Sequence, residues 1–284
     1  MAMLSTQSKE KIAFTALLIA TIIIIIPVFL IMALVLIRGV PGLSIEFIFG
    51  MPREGMKAGG IFPAIVGTIY LVIGTAVFSI PFGVLAAIYL NEYAAKNWLT
   101  RSIELAIINL AGVPSIVYGL FGLGLFVTFL NFGVSILAGS LTLAIMTLPV
   151  IITSTREALN AVPNSFREVS YSLGATRWQT VRHVVLPNAI PGILTGTILG
   201  LSRAAGETAP ILFTVAAFYL PRLPQSVYDQ AMALPYHIYV LSTQVPNVSV
   251  QIQYGTVLVL VAMVFILNIL ASILRTRFRK RKTW

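Results

Sequence analysis

Apolar residues run along this chain in long unbroken blocks, not in the three-and-four spacing of a helix with one wet face. The first block, positions 12–37, opens behind Lys9 and Lys11 and closes at Arg38. The second, 61–90, holds no charge between Lys57 and Glu92. A helix needs about 20 mostly apolar residues to cross a hydrocarbon layer roughly 30 Å thick, so each block is one crossing. Positions 105–155 carry no charge and are too many for a single crossing. They predict a helical hairpin turning within 130–139, where Asn131, Gly133, Gly139 and Ser140 weaken the helix. A fifth crossing follows Pro187 and reaches residue 218, and a sixth spans 254–274 before a basic tail. A secretory signal has an apolar core of only about 7–15 residues, so the first block reads as a retained span. Pro27 lies within it, a kink that neighbouring helices accommodate.

Composition agrees with the pattern. The chain is 58% hydrophobic and 10% charged, with a mean hydropathy of +0.94, whereas soluble domains carry about 25% charged residues. The formal charge of +10 would suggest nucleic acid in a soluble protein. Here its placement matters more. With the N-terminus inside, the inner segments hold Lys9, Lys11, Lys96, Arg101, Arg156, Arg167, Arg177, Arg182 and the basic residues of 275–282. The outer segments hold only Arg38, Arg53, Lys57 and Arg222. That bias predicts two cytoplasmic termini, a bilayer as the partner surface, and no nucleic acid. The absence of cysteine excludes disulfides, thiol nucleophiles and Cys-based metal sites. Two histidines, His183 and His237, are too few for a His-rich metal centre. The expectation is an all-α, polytopic membrane protein with no catalytic, metal or cofactor-binding residue. Residues 1–57 form a first helix and outer loop, 58–275 the main transmembrane body, and 276–284 a basic tail.

The inner connection 156–186 has a structure of its own. Ser165-Phe166-Arg167-Glu168 fits a capping box, and Phe166, Val169 and Leu173 then give a short helix one apolar face. Gly174 supplies a left-handed helix stop. Thr176-Arg177-Trp178-Gln179 is a second capping box, opening a helix that continues to Leu186-Pro187. The segment predicts a helix–turn–helix elbow with an exposed Trp178, either lying on lipid or filling a groove of a partner.

Two charges fall inside a crossing, Arg203 and Glu207. Four residues apart, they share one helical face. Counting from Pro187 at 1.5 Å per residue puts them deep, on the outer side of the midplane. Charge at that depth costs on the order of 3 kcal/mol, so the pair faces protein or an aqueous pathway. It is either a structural ion pair between helices or a positive potential for a passing anion. Gly192, Gly196, Gly200, Ala204 and Thr208 form a small-residue stripe on the same helix, allowing close approach of a helix or a hydrated path. Ser115, Tyr118 and Thr208 are candidate hydroxyl donors to an oxyanion. The glycines at 119, 122 and 124 lack the Lys-Ser/Thr of a phosphate loop and read as helix packing, so ATP is handled by another polypeptide. The outer loop 219–253 carries Tyr228, Tyr236 and Tyr239, with Tyr254 just beyond. These tyrosines form an interfacial belt or a recognition surface, and His237 is a hydrogen-bonded loop residue.

Glu168, Gly174, Leu186 and Pro187 resemble the cytoplasmic E-A-A-x3-G-x9-I-x-L-P signature of ABC importer permeases, with Val169, Ser170 and Val184 in place of Ala, Ala and Ile. Arg203-Ala204-Ala205-Gly206-Glu207-Thr208-Ala209-Pro210 resembles the R-x-x-G-E-T-A-P segment of the A-type permease subunits of phosphate (Pst) ABC importers. So do Gly59-Gly60-Ile61-Phe62-Pro63, the run Gly112-Val113-Pro114-Ser115-Ile116-Val117-Tyr118-Gly119, and Ala233-Leu234-Pro235-Tyr236-His237-Ile238-Tyr239. The resemblance implies a type I permease of six transmembrane helices in a prokaryotic inner membrane. It also implies a C-type permease as heterodimer partner, two ATP-binding subunits carrying ATP and Mg, and an extracytoplasmic phosphate-binding protein. By the same resemblance the elbow, with Ser165, Phe166, Glu168, Val169, Leu173, Gly174, Thr176, Trp178 and Pro187, couples to the ATPase, while Arg203, Glu207, Thr208, Ser115 and Tyr118 belong to the translocation pathway. Sulfate or molybdate as cargo, and a phosphate-status signalling scaffold, remain the alternatives.

Overall fold

In a computed structural model that describes residues 6–280, the apolar blocks are helices. Residues 1–5 and 281–284, the end of the expected basic tail, lie outside the described residues. The first block is α1 (Thr6–Gly39), followed by a short α2 (Ile45–Phe49). Two two-residue strands, β1 (Pro52–Arg53) and β2 (Ala58–Gly59), pair antiparallel. The second block is α3 (Phe62–Ile88), which ends in a π-helical turn, Tyr89–Tyr93. Next come α4 (Trp98–Ala111), α5 (Ser115–Gly122) with a π-helical extension Leu123–Phe129, and α6 (Ile136–Asn160). The elbow is α7 (Asn164–Ser172) and α8 (Arg177–Thr180). A π-turn, Val181–Val185, leads into α9 (Leu186–Gly206), then α10 (Ala209–Thr214), α11 (Leu234–Thr243) and α12 (Val250–Lys280). Five stretches are long and apolar enough to cross a membrane, and a bent pair makes a sixth.

The centre is a slab of three helices, α3, α6 and α9, held close by glycines. A Cβ at Gly192 would come 2.5 Å from that of Ala158, and one at Gly196 would overlap Ser154. Gly83 sits the same way against Ile151, and Gly74 against Ser140. The small-residue stripe of α9 therefore faces helix α6. In a membrane, where apolar burial gives helices little reason to associate, such contact lets dispersion and packing hold them. Four buried hydroxyls inside the slab are satisfied locally: Thr68, Thr75, Thr142 and Thr197 each donate to the carbonyl four residues earlier, whereas those of Ser79, Ser140 and Thr155 find no partner among the described residues. By contrast α1 buries almost nothing, and every side chain from Ile12 to Met32 is exposed. An apolar helix bare on all sides needs lipid or another chain around it.

Four expectations about the crossings need correction. The third crossing is broken: α4 starts at Trp98, includes Arg101 and Glu104, and meets α5 at 104°. Gly112-Val113-Pro114 makes the corner, since proline lacks the donor and disfavours helix at the residue before it. Gly139 and Ser140 do not loosen the hairpin; they lie inside α6, and the turn is residues 130–135, with Asn131 at φ 54° and Gly133 at φ 65°. The fifth crossing does not reach 218 but stops at Gly206. Its beginning is also different, because α8, the π-turn and α9 run as one helical stretch, Arg177–Gly206. Pro187 is absorbed there: Leu186 N–H reaches back five residues to Val181 O, so the widened turn passes over the missing donor.

The end of the bundle opposite the elbow is capped by chain rather than by long helices. Ala216 bridges Ala231, Thr214 O accepts from Ser135 N–H, and Leu234 N–H donates to the Thr68 hydroxyl at 2.8 Å. His237 is not a loop residue but lies in α11, 3% exposed, with Nδ1 lacking a hydrogen-bond partner. Burial pushes its pKa down from 6.5 to about 4, keeping the ring neutral. Tyr236 is buried beside it and stacks on Tyr239, while Tyr254 lies under the Arg38 guanidinium, 5.5 Å from ring centroid.

Candidate functional site

Arg203 and Glu207 do meet. Arg203 Nε donates to Glu207 Oε1 at 3.1 Å, with the side chains 47% and 17% exposed. Arg203 is in the last turn of α9 and Glu207 at its C-cap, because Gly206 and the coming Pro210 end the helix there. A helix C-terminus carries partial negative charge, which favours Arg203 and disfavours Glu207, so the arginine is what makes the carboxylate tolerable.

The pair opens into a cleft of about 590 Å³ between α9 and α12. Ser202, Gly206, Leu260, Val264 and Asn268 complete much of its wall. Ser202 Oγ donates to Asn268 Oδ1 at 2.8 Å. Val264 is ten residues beyond Tyr254, which sits against the end of α1. At 1.5 Å per residue this is about 15 Å along α12. Ser202 and Asn268 were missed in the sequence reading, yet an asparagine inside the apolar run 254–274 is a signal in itself.

Among the described residues, Arg203 uses only Nε in a hydrogen bond. Its two terminal nitrogens remain toward a cleft whose other walls are aliphatic or neutral. A planar guanidinium fork with spare donors is suited to an oxyanion. The carboxylate beside it offsets the charge and competes for the fork, so an anion would be attracted without being trapped. No group of three His, Asp or Glu able to hold a metal occurs among the described residues.

The other pathway candidates are placed differently. Thr208 is adjacent and precedes α10, with no side-chain capping bond. Ser115 and Tyr118 lie on α5, which packs on α10 where Gly119 meets Ala209 O. Tyr118 donates its hydroxyl to Leu110 O at 2.7 Å, tying the α4–α5 corner. Neither Ser115 nor Tyr118 lines the cleft.

At the elbow, the first capping box does not form. Pro163, in an extended conformation (φ −56°, ψ 141°), is the N-cap and starts α7 two residues earlier, leaving Ser165 inside the first turn and Glu168 exposed. The second box is complete: Gln179 N–H donates to Thr176 Oγ1, and Thr176 N–H to Gln179 Oε1. Gly174 has φ 81°, and its N–H and that of Ala175 bond back to Tyr171 O and Ser170 O, a Schellman stop. Phe166, Val169, Leu173 and Ser165 line a hollow of about 410 Å³ with Ser170 and Val184. Val169, Leu173 and Trp178 are 61%, 83% and 54% exposed, an apolar face with nothing of this chain over it.

Residues 79–284 match the family described as binding-protein-dependent transport system inner membrane component. A probable ABC transporter permease protein, YqgI of Bacillus subtilis (strain 168), is 36% identical over 263 residues, 88% of this chain and 89% of that one. The phosphate transport system permease protein PstA 1 of Mycobacterium tuberculosis (strain H37Rv) is 36% identical over 226 residues, 79% of this chain and 72% of its own. A chain of a bacterial ABC transporter involved in alginate import shares the fold with a TM-score of 0.69 at 15% identity, covering 95% of this chain and 96% of that one. A chain of the inward-facing MetNI methionine transporter aligns with a TM-score of 0.62 at 16% identity, over 77% of this chain and 97% of that one.

Proposed function

The chain belongs to the binding-protein-dependent transport system inner membrane components, and from that premise we propose that it is the permease subunit of an ATP-driven importer of inorganic phosphate. The observation that carries the cargo is the likeness to phosphate transport permeases over most of the chain, at 34% identity for the PstA of Yersinia pestis and 36% for that of Mycobacterium leprae. The Arg203 fork in the α9–α12 cleft suits such an oxyanion. The chain is a transport subunit and not an enzyme.

In this reading the elbow end faces the cytoplasm, with both termini on that side, which the distribution of Lys and Arg supports. The apolar face of Val169, Leu173 and Trp178 docks in an ATP-binding subunit, two copies of which supply ATP and Mg chemistry. The open α9–α12 cleft faces a C-type permease partner, and a phosphate-binding protein delivers cargo to the opposite, chain-capped end. Arg203 draws the anion into that cleft, and Glu207, by competing for the guanidinium, favours its release.

The test is reconstitution of the complex in vesicles with its ATPase and binding protein, followed by ATP-dependent uptake of labelled phosphate and sulfate. Phosphate uptake is expected. Uptake of sulfate alone would overturn the cargo, and uptake of neither would favour a signalling scaffold.

A further inference from the structure

A second Arg–Glu pair lies at the elbow. Arg167 of α7 and Glu92 of the π-turn after α3 lie 75 residues apart in sequence. Their side chains are only 13% and 7% exposed. The contact is a fork: Nη2 to Oε1 at 2.7 Å and Nε to Oε2 at 3.3 Å. The remaining donors are used too. Nη2 reaches Leu159 O at 3.0 Å, and Nη1 reaches Val162 O at 2.8 Å and Asn164 Oδ1 at 3.4 Å. Asn91 Nδ2 donates to the same Oε1 of Glu92 at 3.0 Å. One guanidinium therefore joins three elements: the inner end of α3, the last turn of α6 and the first turns of α7. Independently, the Arg177 guanidinium at the start of α8 lies 5.9 Å from the centroid of the Tyr93 ring in the same π-turn.

We infer that Arg167, clamped by Glu92, is the positioning residue that makes the elbow rigid with α3 and α6, so that displacement of α7 by the ATPase is carried into the transmembrane slab. The inference rests on α7 being the coupling helix. Its exposed apolar face would still dock without the clamp, because Val169, Leu173 and Trp178 do not belong to it. Docking and transmission are thereby assigned to different residues of one short segment. Coupling between distant sites needs an element whose arrangement both sites bias, and the π-turn Tyr89–Tyr93, fastened to α7 through Glu92, serves as that element.

The experiment uses the full complex in vesicles and reads three quantities: ATPase subunit retained on purification, binding-protein-stimulated ATP hydrolysis, and labelled phosphate taken up per ATP. Arg167→Lys keeps the charge and loses the fork; Glu92→Gln keeps the shape and loses the charge. For both, subunit retention and hydrolysis persist while uptake per ATP falls about tenfold. The chain has no cysteine, so Glu92→Cys with Arg167→Cys gives two unique thiols in it. A short bis-methanethiosulfonate linker across them restores uptake per ATP, and a reductant removes the gain. Unchanged uptake per ATP in the single variants overturns the inference. So does loss of the ATPase subunit in step with hydrolysis, which would make Arg167 a docking residue. Leu173→Asp separates the two readings, since an ATPase subunit that stays bound to it refutes α7 as the coupling helix itself.

Discussion

Two Arg–Glu pairs sit at opposite stations of this molecule, alike in chemistry and unlike in almost everything else. Arg167–Glu92 joins residues 75 apart, is nearly closed from solvent, and has its guanidinium filled by carboxylate, backbone carbonyls and an amide. Arg203–Glu207 joins residues four apart on the end of one helix, by a single bond, with half the arginine exposed. A charge with all its donors engaged by fixed acceptors holds elements together. One with spare donors is free to take up something else. The difference locates what is static and what is responsive in a chain that otherwise contains very little charge.

Stability should divide along that line. Glu92→Gln leaves a buried guanidinium without its counter-charge, a loss of about 3–5 kcal/mol, and should lower the thermal midpoint of the purified complex markedly. Glu207→Gln, at a pair joined by one bond on a single helix, should shift the midpoint less. Equal shifts for the two variants would erase the distinction. His237 supplies the third case, a buried ionisable ring whose Nδ1 has no hydrogen-bond partner among the described residues. Its pKa is lowered from 6.5 to about 4, so the unfolded chain takes up a proton in that window and the folded one does not. Stability contributed by the neutral ring is therefore full above pH 6.5 and falls by about 3 kcal/mol on acidification to pH 4. His237→Gln should flatten that slope in denaturation midpoints measured across pH.

Transport should divide the other way. Arg203→Gln should leave the complex assembled and reduce phosphate uptake about thirtyfold, equivalent to about 2 kcal/mol of charge-assisted hydrogen bonding, with Arg203→Lys between. Failure of Arg203→Gln to assemble would make this pair structural like the other. The smallest effect is expected from Thr176→Ala, which removes one complete cap at the elbow. Its loss of about 1 kcal/mol should appear as faster proteolysis near residue 176 with uptake little changed.

The parts legible in the sequence are those governed by near neighbours. Block length gave α1, α3, α6 and α12; Thr176 with Gln179, Gly174, and the four-residue glycine stripe were readable because each is a local rule. The corner at Gly112–Pro114 was visible as residues but not as an angle, since the uncharged run hid a change of direction. Ser165 looked like a cap because its spacing to Glu168 is right, and Pro163 displaced it by setting the helix start. Glu92 could not be found from Arg167: no periodicity links positions 75 apart, and only the folding of α3 against α6 brings them together. Ser202 and Asn268 carry no formal charge to mark them, although an uncharged amide in lipid is nearly as informative. Exposed Val169 and Leu173 show the limit of the amphipathic argument, for the apolar face of α7 is the one this chain leaves uncovered.

The glycine seam between α6 and α9 has a mechanical meaning. Gly192 and Gly196 admit Ala158 and Ser154 like teeth of two meshed racks. A small slide of one helix along the other would drive a side chain into backbone. Only a shift by a whole turn, about 5.4 Å, would let the teeth engage again. Short of such a jump the two helices travel as one plate, and the give in the machine must lie where the racks end, at the corner before Pro114 and at the break after Gly206.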